Sequence, residues 1–183
     1  MKKYTILCIA LSFSILSYSQ YKELKELTPV ILQGIKTDVE NKVIKFKATL
    51  STSEMTPEQN EFSVDTFRIE HIAAQRMEID YSTSGLNETT NDLTASYDML
   101  LNKYYQKLLK SLNPEDKKVL VTAQRAWMNF RDSEAILIRT MTKDEYSGGG
   151  TIQSNIATSS YSHMVKHRAI ELFNYYDGNI MQN

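Results

Sequence analysis

The stretch LLKSLNPEDKKVLVTAQRAW, Leu108 to Trp127, decides the fold. At its centre, Ser111-Leu112-Asn113-Pro114 stops one helix and starts another. Asn is a favoured N-cap, and Pro at the first helical position gives up only an N–H that would be unpaired anyway. A turn this short joins two antiparallel helices. Upstream, Leu93, Tyr97, Leu100, Leu101, Tyr104, Leu108 and Leu112 recur at helical spacing. Downstream, Val119, Leu120, Ala123, Trp127, Phe130, Ile138 and Met141 do the same. Helices are therefore predicted over about residues 86–111 and 114–141.

The other two prolines repeat the start signal. Thr28-Pro29 opens a run with Ile31, Ile35, Val39, Val43, Phe46 and Leu50, although the alternation Ile44, Phe46, Ala48, Leu50 equally suits a short strand. Thr56-Pro57-Glu58-Gln59 has the form of a capping box and predicts a helix to about Asp80, with Phe62, Ile69, Ala73 and Met77 on one side, widened by Phe67 and Ala74. Ser82-Thr83-Ser84-Gly85 then interrupts the chain. A last helix is expected from about Ile156 to Tyr176, with Gly178 as its C′ residue. Before it lies TKDEYSGGGTIQSN, Thr142 to Asn155, whose three consecutive glycines mark a flexible loop. The fold class expected is all-α, an antiparallel helical bundle of about four to five helices.

The 183-residue chain begins MKKYTILCIALSFSILSYSQ: two lysines, a short apolar run, then Ser17 and Ser19 before Gln20. This is the pattern of a secretory signal peptide, and the apolar span is too short for a transmembrane anchor. Cys8 sits too early to be the acylated cysteine of a lipoprotein, so a periplasmic or secreted protein without a membrane anchor is expected. Removing residues 1–19 takes away Lys2, Lys3 and Cys8, the only cysteine, and leaves 19 basic and 22 acidic residues, a net charge of −3. An exported chain without disulfides must be held by its core, which favours long packed helices. The charge excludes a nucleic-acid footprint. The expected divisions are a signal peptide at 1–19, an N-terminal helical extension at 20–80 and a helical domain at 81–178.

Several polar residues fall where the stripes should be driest. At about 100° per residue, Gln124, Trp127 and Arg131 share a narrow sector with Leu120 and Ile138. Arg168 lies between Met164 and Leu172, and Asp98 beside a Leu-rich face. A guanidinium there must find acceptors, so Asp98, Gln124, Trp127, Arg131 and Arg168 are read as a structural polar core, with Asp98 or Glu134 as the anions. The alternative makes them a binding site open to the surface.

LNKYYQKLL (101–109), LVTAQRAWMNFRDSEA (120–135), the glycine run and MVKHRAIEL (164–172) together resemble the LprI-type lysozyme inhibitor-like domain. The resemblance covers about residues 84–173 and implies a helical fold. That family's cysteines fall here on Thr89, Ala135 and Ser160, so its usual bridges cannot form; a lost bridge typically costs 2–5 kcal/mol, which extra N-terminal helices would offset by burying apolar surface.

The resemblance implies an envelope protein that blocks a lysozyme or other peptidoglycan hydrolase. A lysozyme cleft works with two carboxylates, so an inhibitor would present donors or a cation on a protruding loop. The candidate loop carries Lys143, Tyr146, Ser147, Gly148, Gly149 and Gly150, with Lys143 as cation and Tyr146 as aromatic anchor. The competing class is a non-enzymatic interaction or immunity-type protein. No catalytic residues are expected: Ser-His-Asp contexts, phosphate loops and dinucleotide fingerprints are missing. His163, His167 and Glu171 line one helical face, a spacing too common to assign a metal, and no cofactor is implied. Asp65 to Glu70, DTFRIE, reads as a source of interhelical ion pairs.

Overall fold

A computed structural model describes residues 24–180; the signal-peptide reading of residues 1–19 lies outside them. Among the described residues the chain is all-α: α1 (Pro29–Leu50), α2 (Pro57–Ile79), α3 (Thr83–Ser111), α4 (Pro114–Met141), the one-turn α5 (Asp144–Ser147) and α6 (Ile152–Ile180). The segment that also suited a strand is helical, with Ile35, Val39 and Val43 buried four residues apart and Ile44 exposed.

The three proline starts are capped as their chemistry requires. Thr28 Oγ1 accepts from the Ile31 N–H at 3.3 Å, and Asn113 Oδ1 accepts from the N–H groups of Glu115 and Asp116 at 3.0 Å each. Thr56 and Gln59 form a reciprocal capping box at 3.1 and 3.0 Å.

Two boundaries differ from expectation. Gly85 lies inside the first turn of α3, not in a break before it. Ser82 caps this helix through the Gly85 N–H, and the Asp80 carboxylate folds back so closely that a Cβ at residue 85 would fall 2.1 Å from its carbon. The glycine is there for close approach. At the other end, α6 starts four residues earlier than expected and runs through Gly178.

Neighbours along the chain alternate in direction. Arg76 pairs with Asp92 near the start of α3 while Lys107 pairs with Glu58, so α2 and α3 are antiparallel. α3 and α6, the most closely packed helices, run parallel: Asn87 bonds Ser154 at one end, and Tyr104 meets Phe173 and Tyr176 further along. α4 returns between them in sequence but rests mainly on α6 rather than on α3.

The main core joins Tyr97, Leu100, Leu101, Tyr104 and Leu108 of α3 to Val165, Ala169, Leu172 and Phe173 of α6. Phe62 of α2 stacks on Phe173 with centroids 3.8 Å apart, adding α2 to this core. A second core holds α1 to the opposite face of α2 through Ile35, Val39, Val43 and Val64, with Phe46 stacked on Phe67 at 4.5 Å. α2 therefore buries two faces, which is why its sequence lacks one clean stripe.

Candidate functional site

Of the polar residues on the dry stripes, Gln124 and Arg168 are 7% and 8% exposed. Gln124 is the single fully buried residue of α4. Its Oε1 accepts from Arg168 Nε at 3.1 Å, joining α4 to α6, while Arg168 also pairs with Glu171 one turn on at 3.2 Å. Two cations approach the indole of Trp127, with the guanidinium carbons of Arg131 and Arg168 at 5.4 and 5.8 Å from its ring centroid. Such contacts place positive charge on the negative face of the ring.

The anions are not the expected ones. Asp98 accepts from Asn102 on its own helix at 3.3 Å and does not join the cluster. Glu134 lines the outer groove between α4 and α6 beside Phe130 and His163. Glu171 serves Arg168, and the adjacent Asp132 serves Arg131 at 2.6 Å. Both acceptors lie on the same helix as their cations rather than across the bundle: Glu171 is three residues on from Arg168, a spacing at which helical side chains meet, whereas Asp132 is next to Arg131, where helical spacing gives no signal.

The glycine segment is more built than a flexible loop. α5 gives it one helical turn, and Ser147 Oγ accepts from the Gly149 N–H at 3.2 Å while lying within bonding distance of the Thr142 and Lys143 carbonyls. Gly148, Gly149 and Gly150 all have positive φ, at 79°, 83° and 95°. Each occupies backbone space that other residues adopt at a cost, so the run fixes the path of the chain as well as loosening it. Beyond it, Asn155 Nδ2 donates to Thr83 O at 3.1 Å and Asn87 Oδ1 at 2.9 Å, tying the loop to the start of α3. Tyr146 is 59% exposed on this platform, and Lys143 is exposed with Asp144 and Glu145 next to it.

The sequence stripe on α4 hid a second feature. Val119, Phe130 and Met141, expected in the core, are 67%, 55% and 53% exposed. Met128, Ile136, Leu137, Ile152 and Ile156 are exposed as well. Periodicity located an apolar face but not how much of it the neighbouring helix covers. With α4 resting on α6 along a narrow seam, the flank carrying Phe130, Leu137 and Met141 stays in solvent.

Among the described residues no group of three or more His, Cys, Asp or Glu is arranged to hold an ion. His167 lies 3.9 Å from Glu171, but Glu171 is engaged by Arg168 and His163 faces the outer groove. No described helix is long and apolar enough to cross a membrane. Of the positions on which the resemblance sets the family's cysteines, Thr89 is fully buried on α3, and Ala135 on α4 and Ser160 on α6 are half-buried.

No curated protein and no solved structure gives a significant match to the chain. The family model described as Lysozyme inhibitor LprI matches residues 73–172, from the last turns of α2, through the AQRAW and RD elements and the glycine run, to Leu172 in the core. With more than half of its length matched in this way, the chain belongs to the LprI lysozyme inhibitor family.

Proposed function

We propose that this protein is exported to the cell envelope and there binds and blocks a lysozyme-like muramidase, using the surface formed by the end of α4, α5 and the glycine segment. The observation that carries the proposal is the exposure of Tyr146 on the short helix that leads into the positive-φ glycine run. A stable interface buries about 800 Å² on each partner, more than one short loop supplies. Phe130, Leu137 and Met141 before the loop in the chain and Ile152 and Ile156 after it are exposed apolar side chains available to extend it. Tyr146 is the aromatic anchor at its centre, and the negative charge of the processed chain would speed encounter with a basic enzyme.

A second reading, an interaction or immunity-type protein that binds another wall-directed partner through the same surface, is favoured by one detail. Asp144 and Glu145 follow Lys143 directly. They offset the cation that a plug for a cleft with two carboxylates needs.

The mature chain added at low micromolar concentration to cell-wall turbidity assays with several lysozyme types separates the readings. Muramidase inhibition predicts slowed clearing, weakened at least tenfold by Tyr146→Ala and by Phe130→Ala at unchanged melting temperature. Clearing at the uninhibited rate with every lysozyme type would reject it in favour of the second.

A further inference from the structure

α4 carries two seams, and only one of them is covered. Leu120 and Trp127 pack against the main core and Gln124 bonds Arg168 of α6, yet Gln124 is the single fully buried residue in a helix of 28. One residue back from each, Val119, Ala123 and Ala126 begin a second seam that Phe130, Ser133 and Leu137 continue, and all six are exposed. Their spacing alternates between four and three, the heptad pattern by which a helix keeps one stripe against a second helix.

No charge interrupts this stripe. At about 100° per residue, Arg125, Arg131, Asp132 and Arg139 lie about 120° or more round the helix from its centre, and only Glu134 borders it between Val119 and Met141. The hydroxyls of Thr122 and Thr140 at its edge donate to carbonyls four residues back at 2.8 and 2.9 Å, so covering them strands no donor.

The order of side-chain sizes selects the occupant. In an antiparallel pair of α4 helices crossing at Phe130, Ala123 of each copy faces Leu137 of the other, and Val119 faces Met141. Small meets large on both sides of the crossing, and the two Phe130 rings meet between Ala126 and Ser133, which leave them room. Beside Val119, the side chains of Leu108, Leu112, Leu120 and Tyr175 line a hollow of about 320 Å³. Met141, 53% exposed at the other end of the stripe, is an unbranched side chain suited to filling it. A two-fold axis fills both hollows at once, as an isologous interface requires. A parallel pair would set Ala123 on Ala123 and Leu137 on Leu137, leave the hollows empty and align the helix dipoles unfavourably.

We infer that two copies of this chain pair in solution through the outer stripe of α4, antiparallel about Phe130, each lodging Met141 in the hollow beside the other's Val119. With Ile136 and Met141 at its edges the stripe offers ~700 Å² per copy against ~800 Å² in a standard interface, so the pair is weak, with a Kd of ~10–100 µM. The pair covers Phe130, Leu137 and Met141, so self-association and capture of a muramidase through these residues exclude one another. At the low micromolar concentration of the turbidity assay the copies are apart and the surface is free.

Sedimentation equilibrium of the chain beginning at Gln20, alone, from ~1 to ~500 µM tests this. A monomer–dimer equilibrium is expected, little changed at ~1 M salt because the stripe is uncharged. Phe130 is 55% exposed, so Phe130→Glu should keep the melting temperature of the dilute protein and raise the Kd at least tenfold. The only cysteine, Cys8, lies before Gln20, so introduced cysteines report the orientation. Ala123→Cys combined with Leu137→Cys should oxidise to a covalent dimer, whereas Ala123→Cys alone should not. A monomer throughout that range, a dimer indifferent to Phe130→Glu, or a bridge formed by Ala123→Cys alone would overturn the inference. So would flotation of a monomeric protein with phospholipid vesicles, which would give the stripe to a membrane. No muramidase enters the measurement, so a monomeric result leaves the inhibitory function untouched.

Discussion

Arg131 and Arg168 carry the same side chain to the same indole, yet the structure gives them different weights. Arg168 is buried, and its removal would leave the equally buried Gln124 Oε1 without its donor. Arg131 keeps 18% of its side chain exposed and pairs with Asp132, which is 63% exposed. A buried bond that leaves an unsatisfied group behind costs about 2 kcal/mol, whereas an exposed pair and cation–π contact on one helix contribute under about 1 kcal/mol. Arg168→Ala should lower the melting temperature by about 5 °C and Arg131→Ala by at most about 2 °C. Thermal denaturation followed by circular dichroism ranks them, and an Arg131→Ala loss as large as that of Arg168→Ala would contradict the geometry. The ranking was hidden in the sequence because both arginines share a stripe with apolar residues; only the crossing of α4 on α6 decides which of them is enclosed.

At the scale of elements, charge organises the contact between α2 and α3. Lys103 meets Glu61 at 2.9 Å and also Asp65, while Lys107 meets Glu61 at 2.8 Å and also Glu58. Hydrogen bonds from Lys107 and then Lys103 hold the Glu61 carboxyl at about 2, against an ordinary value of 4.5. Glu70 is also held low: burial pushes its carboxyl up, but bonds from Lys166 and Tyr97 outweigh this. A carboxylate with a depressed folded value adds stability above its unfolded value and loses it as pH falls through the folded one. The melting temperature should therefore drop between pH 4.5 and about pH 2, and drop less steeply in Glu61→Gln, which starts lower at neutral pH. Parallel curves for the two proteins would show that the Glu61 pairs contribute nothing. Much of this layer was legible. α4 begins and ends as its sequence indicates because Asn113-Pro114 leaves a single capping solution, and DTFRIE supplies ion pairs through Asp65, Arg68 and Glu70. The start of α3 was not, because Gly85 signals a break in sequence while serving in space to admit the Asp80 carboxylate. The exposure of Phe130 and Met141 was not either, since periodicity fixes direction around an axis but not the breadth of the neighbour.

For the whole molecule, the two cores assign unequal parts to the helices before residue 80. α1 touches α2 through the second core and through Glu40 with Arg68 and Asp38 with Gln75, and losing it would expose Val64, Phe67, Ile72 and Ile79 on one side of α2. α2 belongs to both cores: Phe62 stacks on Phe173 and meets Tyr104, while Glu70 accepts from Tyr97 at 2.5 Å and pairs with Lys166 at 2.6 Å. The family match begins at residue 73, inside α2 and downstream of these contacts, so the stretch that identifies the family is shorter than the unit that packs. In a chain whose single cysteine is Cys8, no internal disulfide can form, so α2 supplies packing that no covalent link can replace. A variant beginning at residue 53, without α1, should fold cooperatively with a melting temperature lower by ten degrees or more, since exposing several large apolar side chains removes about 1.5–3 kcal/mol each. A variant beginning at residue 81, without both helices, should show no cooperative transition and should bind a hydrophobic dye, because Phe173 and Tyr104 then face water. Circular dichroism melts and dye fluorescence on the two truncations decide the matter, and a sharp transition in the shorter one would make α2 an accessory and leave α3, α4 and α6 as a sufficient fold.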